Sequence, residues 1–184
     1  MFQTAKSVLR RDPAANSLME VVLTYPGIRA LFWYRIAHFL NGIKLFTLAG
    51  LLSQHAVKTT GISIAPAARI GKRVFIDHGV GVVIGSTAIV EDDVTIMHGV
   101  TLGARRIQTG IRHPHVRHGA FLGANAQILG NIMIGADSKV GANAVVLQSV
   151  PDKATAVGNP AKIVNQPDQK ILKIDFVSQN KIFK

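Results

Sequence analysis

Aliphatic residues recur at every sixth position of the chain from residue 64 to residue 146, in three runs separated by short interruptions. All twelve of these positions hold Ile, Val or Leu: Ile64, Ile70, Ile76, Ile84, Val90, Ile96, Leu102, Leu122, Ile128, Ile134, Val140 and Val146. Small or β-branched residues follow four positions later, and Ala68, Val74 and Val80 begin this second predicted inward column. Because a six-residue unit buries its apolar side only against its neighbours, the spacing predicts a parallel β-solenoid.

Residues 1–61 follow a helical period instead, with apolar residues three and four positions apart. Breaks at Pro26-Gly27 and Asn41-Gly42 divide this segment and predict three helices that end before Gly61. Asp12-Pro13 predicts a helix start, because Asp is a good N-cap residue and Pro fits the first helical position. We therefore expect a small α-helical cap before the solenoid.

The six-residue period stops between Leu102 and Leu122, which predicts an extruded loop over residues 104–119. This loop contains three His and the densest cluster of Arg in the chain. Loops on a rigid scaffold often carry binding groups, although a mobile surface excursion is an alternative interpretation. The solenoid domain is predicted over residues 62–160, and the polar, lysine-rich residues 161–184 predict a weakly ordered C-terminal tail.

Charge and hydropathy limit the class of partner. The formal net charge of +11 favours small anionic ligands, but the basic residues are spread along the chain and few aromatic residues lie beyond Phe75. Without stacking platforms we expect no nucleic-acid partner. No apolar run reaches the length of a membrane span, so we expect a cytoplasmic protein with no membrane partner.

Residue types also exclude some kinds of site. The chain has no cysteine, which excludes disulfides, thiolate metal sites and an acyl intermediate on cysteine. His113, His115 and His118 lie together in the predicted loop, but no acidic or thiol ligand joins them there. We therefore expect no metal site.

His78 is the leading candidate for chemistry. It lies in the glycine-rich run Phe75-Ile-Asp-His-Gly-Val-Gly-Val-Val-Ile-Gly85, directly after Asp77. An imidazole that titrates near neutrality beside a carboxylate is suited to general-base catalysis. A histidine that merely occupies a surface position of the repeat is the alternative.

Four segments, in order, resemble the serine O-acetyltransferases of the hexapeptide-repeat acyltransferase superfamily. They are Arg11-Asp-Pro-Ala-Ala15, the run from Phe75 to Gly85, Gly99-Val-Thr-Leu-Gly103 and Arg112-His-Pro114. The resemblance extends from about residue 10 to residue 165, and it implies a mainly β fold, namely a left-handed parallel β-helix preceded by a small α-helical cap. It also implies a short form of the family, without most of the N-terminal helical domain of many members.

The resemblance implies that the acetyl group of acetyl-CoA is transferred to the hydroxyl of L-serine, giving O-acetyl-L-serine for cysteine biosynthesis. His78 is then the general base, Asp77 and Asp12 contact the amino group of the substrate, and Arg112 and His113 hold its carboxylate, so that His78, Asp77 and His113 form the catalytic set. Acetyl-CoA, as co-substrate, is expected along the solenoid beside Gly103, Ala104, Ala124 and Ala142, with its phosphates near Lys139 and Lys162.

The resemblance also bears on partners. It implies a homotrimer with sites between adjacent subunits. Family members dock a sulfhydrylase through a C-terminal Ile, whereas this chain ends in Asn180-Lys-Ile-Phe-Lys184, which argues against that docking here.

Some positions depart from the family pattern. Ser63 and Ala65 stand where members have a carboxylate and a His that support the catalytic base, so Ser63 is the expected hydrogen-bond acceptor for His78. Ser86 replaces a Glu, and Ala104-Arg105 replaces Gly-Thr. A different hydroxyl acceptor, such as homoserine or a sugar, and a catalytically impaired binding or regulatory homologue both remain open.

Overall fold

The computed structural model describes residues 2–165 as four helices followed by fifteen short strands. The helices are α1 (Phe2–Arg11), α2 (Leu18–Thr24), α3 (Pro26–Gly42) and α4 (Phe46–Thr60). The strands are β1 (Ser63–Ile64), β2 (Arg69–Ile70), β3 (Phe75–Ile76), β4 (Val83–Ile84), β5 (Ile89–Val90), β6 (Thr95–Ile96), β7 (Thr101–Gly103), β8 (His115–Val116), β9 (Phe121–Leu122), β10 (Gln127–Leu129), β11 (Met133–Ile134), β12 (Lys139–Val140), β13 (Val145–Val146), β14 (Thr155–Val157) and β15 (Lys162–Asn165).

Successive strands belong to three different sheets, so the chain coils around a triangular core. Sheet A has the order β1-β4-β7-β10-β13, sheet B the order β2-β5-β8-β11, and sheet C the order β3-β6-β9-β12-β14-β15. All pairs are parallel except β14 with β15. The twelve predicted aliphatic positions face inward and are each at most 6% exposed. Stacked aliphatic columns therefore form the core of a parallel β-helix.

The first coil is longer than the second, and the extra residues lie between sheets C and A. Ser63 pairs with Val83, twenty residues on, whereas Val83 pairs with Thr101, eighteen residues on. The prediction that Val80 points inward is wrong, because Val80 is 66% exposed and Val82 is fully buried in its place. The two additional residues displace the inward position along the chain at this corner, which we call corner CA.

The predicted loop over residues 104–119 ends earlier than expected. His115–Val116 forms β8 in sheet B, paired with β5 and β11. Val116 is fully buried and lies six residues before Leu122, so the aliphatic period already resumes there. The excursion is therefore confined to residues 104–114, at the corner between sheets A and B, which we call corner AB.

The end of the solenoid also differs from the expectation. Lys162–Asn165, predicted as the start of a weakly ordered tail, forms β15 and pairs antiparallel with β14. The rest of that predicted tail and the chain end at Lys184 lie outside the described residues.

The N-terminal segment has four helices and not the three predicted, and Asp12-Pro13 does not start a helix. Asp12 directly follows the last residue of α1, and α2 begins at Leu18. Ser17 caps α2, because its hydroxyl accepts a hydrogen bond from Glu20 N at 3.1 Å and the Glu20 carboxylate accepts one from Asn16 N at 2.9 Å. Ser17 and Glu20 have the Ser-x-x-Glu spacing of a capping box, although the carboxylate binds the N–H of the residue before the cap, and they mark the start of α2.

The helices cover the edge of the first coil, where strand carbonyl groups have no preceding coil to pair with. Their side chains donate to these carbonyls: Tyr34 Oη to Ala68 O at 2.6 Å, Arg35 Nη1 to Ile70 O at 2.7 Å, and Ser53 Oγ to Ile64 O at 3.0 Å. Within residues 2–165, none of the helices has the length and apolar character needed to cross a membrane. The helical segment is thus the cap of the solenoid.

Arg11 fastens the end of α1 to sheet C. Its guanidinium group donates to Asp93 O at 2.9 Å, to Arg73 O at 2.6 Å and to the Thr95 hydroxyl at 3.3 Å. The group also lies over the ring of Phe75, 5.4 Å from its centroid. Burial lowers the pKa of Arg11, because a charged guanidinium group is less stable when it is partly removed from water.

We expect the substitution Arg11→Met to lower the free energy of unfolding by about 2 kcal/mol, because it removes charged hydrogen bonds from a half-buried group. The midpoint of thermal unfolding should fall by roughly 4–8 °C for a chain of this size. The exposed neighbour Arg10 provides the matched control, since Arg10→Met should leave the midpoint nearly unchanged. Equal losses in both variants would contradict the anchoring role of Arg11.

Candidate active site

Corner CA of the first coil presents His78 to solvent beside a carboxylate. The His78 side chain is 72% exposed, and its Nε2 lies 3.8 Å from Oδ2 of Asp77. His78 has a φ of +54°, a left-handed conformation that turns the chain out of β3 and away from the aliphatic columns. Gly79 follows with a φ of +72°, in a space where a Cβ would collide with the side chain of Ile62. The local backbone therefore projects the imidazole outward.

A second imidazole, His98, was missed by the sequence reasoning. It lies one coil further on, with its ring centroid 6.0 Å from that of His78. Its Nδ1 is buried and has no hydrogen-bond partner among residues 2–165. The signal was present in the sequence, because Ile76 pairs with Ile96 and both histidines lie two residues after these partners.

Asp12 joins the same cluster from the helical cap. Its Oδ2 accepts a hydrogen bond from the hydroxyl of Tyr25 at 2.6 Å, and its Oδ1 accepts one from Ala14 N at 2.8 Å. These two bonds, together with the nearby imidazole of His78, hold the pKa of Asp12 below its usual value. Asp12, Asp77, His78 and His98 thus form one group at corner CA, which we call the imidazole half-site.

Two of the predicted cofactor residues continue along the same corner. Asn125 N donates to His98 O, and Asn143 N donates to Ala124 O, both at 2.8 Å, so a ladder of backbone bonds links successive turns. Ala124 and Ala142 lie on these turns, after β9 and β12. Lys139 on β12 and Lys162 on β15 belong to the adjoining sheet C and are exposed.

The other predicted site residues lie at corner AB. Gly103 ends β7, Ala104 begins the excursion, and Arg112 and His113 lie near its end. We call these four residues the loop half-site. Corners CA and AB are opposite edges of sheet A, and a coil crosses that sheet in about five residue steps, on the order of 15 Å. One chain therefore does not bring the two half-sites together.

Thr87 and Gly85 form the seat of His113. The Thr87 hydroxyl accepts from Arg112 N at 3.0 Å and from His113 N at 3.2 Å, and lies 2.8 Å from His113 Nδ1. Thr87 N also donates to that Nδ1 at 3.2 Å, which requires a ring with its proton on Nε2. The ring packs so closely over Gly85 that a Cβ there would overlap it. Burial, followed by the charge of Arg112, lowers the pKa of His113.

Ser63 does not accept the hydrogen bond that was expected from His78. It lies on β1, and no hydrogen bond joins it to His78, although both residues are described. Asp77 is the one carboxylate of residues 2–165 that lies within 4.0 Å of a His78 nitrogen. Asp77 is therefore the carboxylate available to stabilise a positive charge on the imidazole.

Of the three histidines in the predicted loop, His115 and His118 lie near Glu91, whereas His113 does not. His115 Nε2 lies 2.8 Å from the carboxylate of Glu91, whereas His113 faces Thr87. His118 is 3.9 Å from both Glu91 and Asp137. Within residues 2–165 no group of three or more His, Asp or Glu side chains is arranged to hold a metal ion.

The coil geometry, with imidazoles at its corners, defines the class of the hexapeptide-repeat transferases. The model of the family described as "Bacterial transferase hexapeptide (six repeats)" matches residues 113–148. A serine acetyltransferase of Helicobacter pylori is 52% identical over 159 residues, which are 86% of this chain and 93% of that protein. The chain belongs to the serine acetyltransferase family, and the predicted left-handed parallel β-helix with a helical cap is confirmed.

Solved structures of the family have the same fold. A serine acetyltransferase from Brucella abortus strain S19, in complex with coenzyme A, is 43% identical with a TM-score of 0.87. The match covers 89% of this chain and 65% of that one, so this chain spans slightly less than two thirds of its length. A soybean serine acetyltransferase complexed with serine is 44% identical with a TM-score of 0.86, and the match covers 88% of this chain and 67% of that chain.

The buried seat of His113 predicts a specific loss of stability in mild acid. Its pKa is lower in the folded protein than the ordinary value of 6.5, so the neutral ring contributes fully above pH 6.5. As the pH falls from there through the folded pKa, the unfolded chain binds the proton first and stability is lost.

The measurement is urea unfolding at about pH 7.5 and about pH 5.5. The wild type should lose more stability between the two conditions than His113→Asn does. His55→Asn, at an exposed position of α4, should keep the wild-type dependence. An unchanged dependence in His113→Asn would show that the seat does not hold a neutral ring.

Proposed function

We propose that this protein transfers the acetyl group of acetyl-CoA to the hydroxyl of L-serine, giving O-acetyl-L-serine for cysteine biosynthesis. The observation that carries the proposal is the imidazole half-site, where the solvent-facing His78 lies beside the carboxylate of Asp77 and a second imidazole, and where the charge of His78 helps to lower the pKa of Asp12. Membership of the serine acetyltransferase family supports the choice of acceptor. The relatives whose structures contain coenzyme A or serine support the pair of substrates.

The two carboxylates match an acceptor that carries an ammonium group. Asp12 is held ionised by its hydrogen bonds, and Asp77 is partly buried next to His78. A charged hydrogen bond from an ammonium to a carboxylate is among the stronger polar contacts in proteins. Asp77 lies next to the candidate base, and the charge of His78 helps to lower the pKa of Asp12. An amino acid bound by its ammonium group at these carboxylates would place its side-chain hydroxyl close to His78.

His78 then supplies the proton chemistry. Its imidazole accepts the proton of the substrate hydroxyl as the oxygen forms a bond to the acetyl carbon, and the imidazolium afterwards returns that proton to the departing CoA sulfur. Asp77 stabilises the imidazolium by its negative charge. Without a cysteine to form an acyl intermediate, direct transfer between the two bound substrates is the simplest route.

The separation of the half-sites supports a trimer in which each site lies between two subunits. The loop half-site contributes Arg112, a planar cation suited to a carboxylate, and His113 with its Nε2–H donor. A neighbouring copy related by a threefold axis would bring its corner AB to this chain's corner CA. Val80 and Val83, which are apolar and exposed at corner CA, fit such a contact.

Acetyl-CoA fits the groove between the same two subunits. Ala124 and Ala142 on one side, and Gly103 and Ala104 on the other, are small residues beside which an extended ligand can approach the backbone. Lys139 and Lys162 are exposed cations on the adjoining sheet and suit its phosphates. Backbone N–H groups at these turns can stabilise the oxyanion of the transfer step.

Initial rates with acetyl-CoA and L-serine, L-homoserine or simple sugars test the function. We expect L-serine to be preferred, and His78→Ala to lower kcat by roughly 100-fold to 10,000-fold while the KM for acetyl-CoA is kept. His55→Ala provides a control in which an exposed histidine is removed without loss of rate. Full activity in His78→Ala, or preference for another acceptor, would overturn the proposal.

Mixing two inactive variants tests the shared site. His78→Ala damages the imidazole half-site and Arg112→Ala the loop half-site, so a mixed trimer contains some sites with both halves intact. Random mixing of equal amounts after unfolding and refolding should restore about one quarter of the wild-type activity. Each variant refolded alone is the control. No recovery in the mixture would mean that both halves of a site come from one chain.

A further inference from the structure

Tyr25 is the side chain that fixes the carboxylate of Asp12. Its hydroxyl donates to Asp12 Oδ2 at 2.6 Å, while Ala14 N occupies Oδ1 at 2.8 Å. With both oxygens engaged, the plane and direction of the carboxylate are set before any ligand binds. A carboxylate at an exposed chain turn, without such partners, would lose rotamer freedom on binding a ligand and bind it less tightly.

Tyr25 is itself held against the strand that carries the candidate base. It lies at the junction of α2 and α3, directly before Pro26, the first residue of α3. Gly27 approaches β3 so closely that a Cβ there would overlap Ile76 O. Asp77 and His78 directly follow Ile76, so Tyr25 is fixed relative to them. The hydrogen bond from Tyr25 therefore fixes the carboxylate of Asp12 relative to β3.

The electrostatics agree with this geometry. The hydrogen bond to Asp12 is the largest cause that raises the pKa of Tyr25 to about 12, and the carboxylate of Asp77 adds to it. Tyr25 thus remains a neutral donor, and it lies near both carboxylates. The same bond is the largest cause of the lowered pKa of Asp12.

We infer that Tyr25 is a positioning residue that orients Asp12 toward the ammonium group of the acceptor and so contributes to selection of acceptors that carry an amino group. The inference rests on the proposed function, and it adds a residue outside the sequence motifs. Tyr25 acts through Asp12 and takes no part in proton transfer. Its removal should therefore affect acceptor binding and leave the chemical step and acetyl-CoA binding intact.

The test compares Tyr25→Phe with Tyr34→Phe, which removes the hydroxyl of the other tyrosine of the chain. Tyr34, on α3, donates to Ala68 O of the first coil, just before β2 and away from the imidazole half-site. Tyr25→Phe should raise the KM for L-serine about ten-fold, with kcat and the KM for acetyl-CoA changed less than about two-fold. Tyr34→Phe should lower the midpoint of thermal unfolding and leave all three kinetic constants near those of the wild type.

Two further measurements separate positioning from a general structural role. The inhibition constant of 3-hydroxypropanoate, which is serine without its amino group, should be the same in Tyr25→Phe and wild type. In the background of Asp12→Ala, Tyr25→Phe should have no further effect on the KM for L-serine, because a residue that acts only through Asp12 has nothing left to position.

The outcomes are distinguishable. A wild type that does not acetylate L-serine overturns the proposed function and this inference with it. A wild type that acetylates L-serine, combined with an unchanged KM in Tyr25→Phe, overturns the inference alone. Weaker inhibition by 3-hydroxypropanoate, or a further loss in the Asp12→Ala background, also overturns it, since either result would mean that Tyr25 acts on more than Asp12.

Discussion

The stacking of aliphatic side chains from coil to coil is the interaction on which the rest of the structure depends. Among residues 2–165 the longest strand has four residues and most strands have two, so no strand pair there is stable by itself. Stability comes from the continuous column of Ile, Val and Leu that each coil shares with its neighbours. Because the column fixes where every coil begins its turn, it also fixes the corners. His78 and His98 are adjacent for this reason.

The helical cap both covers the first coil of the solenoid and positions a residue of the candidate active site. Its polar side chains complete the hydrogen bonds of the first coil, which is also the coil that carries Asp77 and His78. The same helices hold Asp12 at the imidazole half-site. Arg11, the preceding residue, is bonded to the solenoid, and Tyr25 donates a hydrogen bond to the Asp12 carboxylate. Closing the end of the solenoid and assembling the acceptor site are thus two results of one packing arrangement.

The sequence predicted the features that burial imposes at each repeat. The inward positions could be read directly, because a polar residue in a column would leave a buried group unsatisfied. Where that does occur, at Ser138, the hydroxyl donates to Gly135 O at 2.7 Å. The assignment of Val80 to an inward position is wrong because the spacing of four residues after Ile76 does not hold at a corner with two extra residues. The eight residues from Ile76 to Ile84 show that the corner is longer, but not which residue then turns inward.

The parts of the site that depend on tertiary contacts were harder to predict. The start of α2 was misplaced because the carboxylate of Asp12 serves Tyr25 instead of a helix end. His98 was overlooked, although the coil length places it beside His78. His78 and His113 lie at different corners of the triangle, which the residue spacing does not show. Residue spacing specifies the coil, but not which of its corners face the same ligand.

The unequal length of the corners has a consequence for how such proteins can diverge. Extra residues at corner CA of the first coil leave the register of Ile76 with Ile96 intact, and the longer excursion at corner AB leaves Ile89 paired with His115, twenty-six residues on. Insertions and deletions at a corner are therefore nearly neutral for the column. A lineage can lengthen, shorten or replace the segments that carry its reactive groups while the inherited scaffold stays the same, so new substrate preferences can arise by small changes of length without passing through an unfolded ancestor.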